Sequence, residues 1–260
     1  RLVVLDGAQR INAGGVIDAR GVADYHHLDC GWQKFTGQLL QLSEPHDMKR
    51  PIVMDATVDQ HDGYRFVYVL PFGMDKVFVE DTYYSDKPDL DRRVMAQRIA
   101  AYADGKGWQV ERVLREETGV LPVVMGGDLE NYWASGSGRT AKAGARGAFF
   151  HAVTSYSLPD AVRNAIYISE LPDFDGDRLN MLMRQRAQEH WKGGNFYRIL
   201  NRMLFRASEP GQRYKILERF YRLKPGLIER FYAGQTTGGD KARILSGKPP
   251  VPIGKALQAI

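Results

Sequence analysis

The chain has 260 residues, 43% hydrophobic and 26% charged, which excludes collagen-like, low-complexity and wholly disordered classes and allows one large domain or two modest ones. No run reaches the ~18 apolar residues of a membrane-spanning helix, and the single cysteine, Cys30, excludes a disulfide framework or multi-cysteine metal site, in keeping with a reducing compartment. Net charge is +5, yet residues 201–250 hold eleven Lys and Arg against Glu209, Glu218, Glu229 and Asp240, a local +7 that suits nucleic acid, an anionic membrane surface or a solvated helical face.

The chain opens on an apolar run, Leu2-Val3-Val4-Leu5, followed by a turn signal at Asp6-Gly7. Ile11, Val16 and Ile17 follow among glycines and end in Asp18-Ala19-Arg20-Gly21. Apolar strands that end in small residues bring backbone to a ligand in doubly wound sheets, and a strand pair with an ordinary glycine turn reads the same way. Residues 65–70 and 76–83 are β-branched and aromatic, joined by a connector of hairpin length at 71–75, with 38–42 and 52–58 as further strand partners. The pattern turns helical over 91–103, with Asp91 as N-cap, and returns to strand at 110–114 and 120–125. Residues 134–147 read as a loop of small residues, 158–170 as a helix and 173–177 as a polar break and boundary. Beyond it, 181–190, 196–207, 214–223 and 227–233 carry helical spacing, Ser208 before Pro210 reads as a helix start, and Gly234 and Gly247 suit helix ends.

Glu80 and Asp81 are adjacent carboxylates on a predicted strand, where side chains alternate between faces. Phe78, Glu80 and Thr82 share one face, and Val77, Val79 and Asp81 the other. A carboxyl group flanked by aromatics is desolvated, its pKa rises, and it can serve as a general acid; the alternative is a strand-end carboxylate paired with a cation. Gly144-Ala145-Arg146-Gly147 leads through Phe149, Phe150 and His151 to Thr154-Ser155-Tyr156-Ser157 and a helix. Small and hydroxyl residues before a helix N-terminus suit a phosphate or a flavin edge, or an ordinary capped helix. His26, His27, Asp29 and Cys30 are not expected to bind metal, since adjacent histidines on an extended chain cannot easily chelate one ion. Arg198, Arg202 and Arg206 line one helical face, suited to anionic lipid or to solvent; nucleic acid is not expected, since no recognition module is present.

Seven segments in order resemble one family, the bacterial lycopene β-cyclases. They are Gly31-Trp32-Gln33-Lys34-Phe35, Met54-Asp55-Ala56-Thr57-Val58-Asp59-Gln60, Gly63-Tyr64-Arg65-Phe66-Val67-Tyr68, Val79-Glu80-Asp81-Thr82-Tyr83-Tyr84-Ser85-Asp86, Tyr156-Ser157-Leu158-Pro159, Asn201-Arg202-Met203-Leu204-Phe205-Arg206-Ala207 and Leu217-Glu218-Arg219-Phe220-Tyr221. The resemblance implies an α/β flavoprotein: a split, Rossmann-like FAD-binding domain of the glutathione-reductase/hydroxylase type, an inserted antiparallel β-sheet substrate domain and a helical C-terminal region. The corresponding boundaries are 1–30 and 126–172 for the FAD-binding domain, 31–125 for the substrate domain and 173–260 for the helical region. It implies an intramolecular lyase (isomerase) that closes the linear ends of lycopene and γ-carotene into β-ionone rings without net redox change, with FAD kept reduced by NADPH. Glu80 falls at the acidic position of the family's FLEET-like motif, Asp81 second, and Asp55 in a supporting role. Arg146, Gly147, His151, Thr154, Ser155, Tyr156 and Ser157 fall where the family contacts flavin, although Ala152 and Ser155 stand where it has proline and glycine. No strand–GxGxxG–helix precedes these segments, so the sequence resembles the C-terminal part of a longer chain. Peripheral attachment at the cytoplasmic side of an inner membrane is expected, with the +7 segment as docking face. A reductase or monooxygenase of another isoprenoid, or a carotenoid-binding fragment, are the alternatives.

Overall fold

In chain order the strands are β1 (Leu2–Leu5), β2 (Gln9–Asn12), β3 (Ile17–Asp18), β4 (Leu28–Leu42), β5 (Ile52–Asp55), β6 (Arg65–Pro71), β7 (Lys76–Ser85), β8 (Val110–Gly127) and β9 (Ala141–Lys142). The helices are α1 (Arg92–Gly105), α2 (Leu129–Ala134), α3 (Leu158–Ser169), α4 (Gly176–Gly193), α5 (Asn195–Arg206), α6 (Tyr214–Tyr221), α7 (Pro225–Tyr232), α8 (Gly238–Leu245) and α9 (Ile253–Gln258), giving a mixed α/β fold. This computed structural model describes residues 2–5, 9–22, 24–61, 63–136, 138–247 and 251–259; the expected Asp6-Gly7 turn lies outside the described residues. Two units partition the chain, one of residues 1–30, 124–201 and 225–243, the other of 31–123, 202–224 and 244–260. The helices of residues 173–260 are thus shared between both units.

The second unit is built on a five-stranded sheet in the order β5-β6-β7-β4-β8. β7 is antiparallel to both neighbours, so Glu80 stands between Gly37 and Tyr68, and Asp81 between Thr36 and Val67. The period of two sends Leu40, Val67, Val69, Val77 and Val79 to one face, where they bury against Ile99 and Ala103 of α1. Each such side chain contributes roughly 1.5–3 kcal/mol on burial. Asp91 starts α1 as expected, its carboxylate accepting from the backbone N–H of Arg93 at 2.9 Å and Val94 at 3.1 Å. β8 is one continuous strand where the sequence pattern suggested two. It ends the strand order, so Arg115 and Glu117 point into solvent without breaking the ladder.

In the first unit, β1 and β2 form an antiparallel pair and β3 runs parallel to β9. The stretch 134–147 therefore contains a strand and a 3₁₀ turn, Gly144–Gly147, rather than loop alone. Its small residues are the reason, since fully buried Ala141 lets the backbone enter a core of Trp133, Phe149, Leu179, Met183 and Ala187. The polar break at 173–177 is a helix start: Asp175 caps α4 by accepting from Asp177 and Arg178 N–H groups. Ser208 does not cap a helix; its hydroxyl donates to the Glu209 carbonyl at 3.3 Å, ahead of a short 3₁₀ turn at Pro210–Gln212. Gly234 and Gly247 follow α7 and α8 at φ +70° and +94°, conformations that favour glycine.

Candidate functional site

On the sheet face opposite α1, strands β6 and β7 present Phe66, Tyr68, Phe78, Glu80, Thr82 and Tyr84, with the Tyr64 ring just before β6 packed 5.0 Å from Phe66. Phe66 packs edge-on to Tyr68 at 5.3 Å between ring centres, and Phe72 edge-on to Phe78 at 6.4 Å. Glu80 is half-buried in this aromatic surface, and the hydroxyl of Thr82 donates to its Oε1 at 2.8 Å. No cation pairs with it among the described residues. Burial raises its pKa, the Thr82 hydrogen bond opposes that, and the charge of Glu117 adds to the rise. The carboxyl therefore keeps its proton to higher pH than an ordinary glutamate. At one end the face is covered: Phe205 lies against Gly31 and 6.4 Å from Tyr84. At the hairpin end Phe72 is 61% exposed.

Asp81 and Asp55 lie on the opposite face, in register with Val67 and away from Glu80. Asp81 is fully buried and bonded three times by Arg65, with Nε to Oδ1 at 2.9 Å and to Oδ2 at 3.1 Å, and Nη2 to Oδ2 at 2.9 Å. Arg65 also donates to the Asp59 carbonyl at 3.1 Å, and its own backbone N–H donates to Gln60 at 3.0 Å, so this network shapes the 56–64 loop. Asp55 accepts from the Tyr102 hydroxyl at 2.8 Å and the Thr57 hydroxyl at 2.6 Å. Burial works against the Asp55 charge, but the Thr57 and Tyr102 bonds and nearby Lys106 outweigh it and lower the pKa. Both carboxylates are committed within the fold.

The first unit holds the second candidate site. Arg146, in the 3₁₀ turn, gives its Nε to Asp18 at 3.0 Å, while its Nη1 is buried with no acceptor among the described residues. Hydrogen bonds from Arg20 hold the Asp18 carboxyl far below the usual carboxylate range, so the ion pair persists. A Cβ at Gly147 would stand 2.8 Å from the Phe149 ring, which keeps this turn close-packed. His151 is buried against the rings of Tyr197 at 4.4 Å and Phe231 at 5.3 Å, and burial pushes its pKa down to about 4, so it is neutral at physiological pH. With Tyr156, Asp160, His190, Tyr197 and Arg198 it lines a cavity of about 190 Å³. The Thr154 hydroxyl accepts from the Tyr156 N–H at 3.3 Å, and Tyr156 stacks on Tyr232. Ser157 makes no side-chain cap to α3, unlike an ordinary capped helix.

Ser155, where the resemblance has glycine, sits at φ +57°. A side chain there costs ~1–2 kcal/mol, against ~0.5–1 kcal/mol that glycine loses through unfolded-state freedom. Ser155→Gly is accordingly expected to raise stability by roughly 0.5–1 kcal/mol, measured as a higher thermal midpoint. An unchanged or lowered midpoint would mean that Ser155 repays its backbone strain through its side chain. At the missing proline, Ala152, the turn is tied by Asn201, whose amide donates to the Ala152 carbonyl at 2.8 Å and the Val124 carbonyl at 2.7 Å. Sequence reasoning missed Asn201; a polar residue amid the apolar positions of α5 was the available signal.

The arginine stripe is solvated only in part. Arg198 is buried, stacked 4.1 Å from the Trp191 ring and donating to the Trp191 carbonyl, and Arg202 has a buried Nε; Arg206 is exposed. Within the +7 segment, Arg213 is also fully buried, bonded to Asp86 at 2.7 Å, and Arg230 is paired with Asp240 at 2.7 Å. Helical spacing alone could not reveal these partners.

The family profile described as lycopene cyclase protein matches residues 1–258. The chain belongs to the lycopene cyclase family. It is 45% identical over 257 residues to a lycopene beta-cyclase of Pseudescherichia vulneris, covering 99% of this chain and 66% of that protein. To a lycopene beta-cyclase of Pantoea ananas it is 46% identical over 258 residues, covering 99% and 67%. The chain thus spans about two thirds of the length of these relatives. Among solved structures, it resembles a geranylgeranyl bacteriochlorophyll reductase-like protein of Thermoplasma acidophilum with TM-score 0.44 and 11% identity, over 96% of this chain and 63% of that one.

Proposed function

We propose that the protein is a lycopene β-cyclase, with Glu80 as the acid that starts ring closure. The observation that carries this reading is a desolvated carboxyl without a cationic partner among the described residues, set in an aromatic surface, in a chain about 45% identical to proteins of that name. Glu80 donates its proton to the terminal double bond of a linear ψ-end of lycopene or γ-carotene, leaving a tertiary cation. The next double bond supplies the electron pair that closes the six-membered ring, and loss of a proton yields the β-ionone ring. The proton gained and the proton lost balance, so the carbon skeleton is neither oxidised nor reduced. The aromatic faces around Glu80 exclude water and favour a passing cation. Asp81 and Asp55 act by supporting the sheet beneath.

We assign residues 1–30 and 126–172 to a split, Rossmann-like FAD-binding domain, 31–125 to the inserted substrate domain and 173–260 to a helical region. The second site suits FAD: Arg146 keeps a buried donor for an anionic or carbonyl oxygen, and Gly147, His151, Thr154, Ser155, Tyr156 and Ser157 offer close-packed backbone and hydroxyls. Neutral His151 supplies packing rather than charge. When bound and kept reduced by NADPH, FAD would supply an electron-rich surface able to stabilise positive charge.

The substrate is a long hydrocarbon, so the protein works at the cytoplasmic face of the inner membrane; no described helix is long and apolar enough to cross it. Co-sedimentation with vesicles is expected to rise with anionic lipid and fall with salt, and indifference to both would remove electrostatic docking. The deciding experiment expresses the complete open reading frame in a lycopene-accumulating bacterium and separates the pigments. Appearance of γ- or β-carotene supports the cyclase; unchanged lycopene beside soluble, flavin-bearing protein overturns it.

A further inference from the structure

Two glycines on the Glu80 face have no conformational reason to be glycine. Gly37 of β4 and Gly119 of β8 are not among the residues with positive φ, so their backbones would accept an ordinary side chain. Glycine within a strand costs roughly 0.5–1 kcal/mol relative to alanine, so space is the remaining explanation. Gly37 stands directly opposite Glu80. A Cβ on it would lie 2.3 Å from Cζ of Phe78, whose ring tip occupies that spot. A Cβ on Gly119 would likewise lie 2.3 Å from Cε1 of Phe35, and Phe35 stands opposite Thr82, the residue that donates to Glu80. Two rings are therefore parked on bare backbone on either side of the acid. Oε2 of Glu80 takes no hydrogen bond among the described residues.

We propose that Gly37 is a specificity-determining position: by receiving the Phe78 ring on β4, it keeps the space above the Glu80 carboxyl open to a branched apolar end group. Directly opposed Cβ atoms in an antiparallel pair lie about 4.5–5.5 Å apart, so any side chain at 37 would itself border the carboxyl. It would also evict the Phe78 ring from its place on β4, and Glu80 stands two residues along the same face. The substrate would then meet a ring edge where it needs an acid. This inference rests on the reading of Glu80 as the proton donor, but its steric core can be tested apart from that reading.

The experiment compares wild type, Gly37→Ala, Phe78→Leu and the double variant, all as complete protein. In the lycopene-accumulating host, Gly37→Ala is expected to lower the cyclised fraction about tenfold or more at equal protein level, because small misplacements at a reacting group are costly. The double variant, in which the shorter Leu relieves the collision, is expected to recover at least a third of wild-type activity. It also answers the question if Gly37→Ala alone fails to fold. Independently of turnover, the Glu80 carboxyl is followed by isotope-edited infrared titration. Gly37→Ala is expected to move its titration upward through added desolvation, and the double variant to return it. Wild-type activity in Gly37→Ala, or a double variant no better than the single, overturns the proposal. If wild type itself makes no rings, the cyclase reading fails, and the titration still decides whether Gly37 keeps Phe78 off the carboxyl.

Discussion

Glu80→Gln is expected to abolish cyclisation, with a loss of at least about a hundredfold, the range that removal of a positioned general acid produces. Glutamine keeps the shape and can still accept from Thr82, but it has no proton to give. Glu80 is half-buried and holds no ion pair among the described residues, so the variant should fold and leave the sheet intact. Unchanged stability with lost turnover is the signature to look for, by pigment analysis beside thermal unfolding. Full cyclisation by this variant would remove Glu80 from the mechanism. The pH response follows from the same geometry. A donor must be protonated, and burial with the Glu117 charge raises the pKa, so activity falls as pH rises through that raised value. Glu117→Gln removes one of the raising influences. Its descending limb is expected at lower pH than wild type; a limb that stays in place would exclude the influence of Glu117.

What the sequence makes legible here is what has a local period. Alternation along 76–85 is enough to separate Glu80 from Asp81, and the structure keeps Phe78, Glu80 and Thr82 together on one side. Cross-strand register is not local. That Gly37 faces Glu80, or that Asp81 finds Arg65, depends on which strands pair and in what offset, and the same alternation allows several offsets. Strand β8 reads as two, 110–114 and 120–125, because the residues between them are polar, but an edge strand keeps its ladder on one side while its side chains meet water. Helical spacing put Arg198, Arg202 and Arg206 on one face, yet spacing carries no information about what covers that face, here Trp191 in the case of Arg198. Ser155 marks the opposite limit: the departure from glycine was visible, and the positive φ it must adopt is the backbone counterpart.

Asp81→Asn separates the two adjacent carboxylates by kind of failure. The Arg65–Asp81 pair is almost without solvent contact, its side chains 7% and 1% exposed. Neutralising one member leaves a guanidinium buried without its counter-charge, which costs about 3–5 kcal/mol. The expected result is a large drop in the urea midpoint, while the fraction that remains folded retains cyclisation. Replacing both members by apolar residues, Arg65→Met with Asp81→Leu, is expected to restore much of the stability, since a buried ion pair often does little better than well-packed hydrocarbon. Arg65 also holds the Asp59 carbonyl, so recovery should stop short of wild type by roughly the 1 kcal/mol of one hydrogen bond. The opposite outcome, normal stability with no ring closure in Asp81→Asn, would assign catalysis to the α1 side of the sheet. That outcome conflicts with a face filled by Val67, Val77 and Val79 against Ile99, where a polyene end has no room to lie.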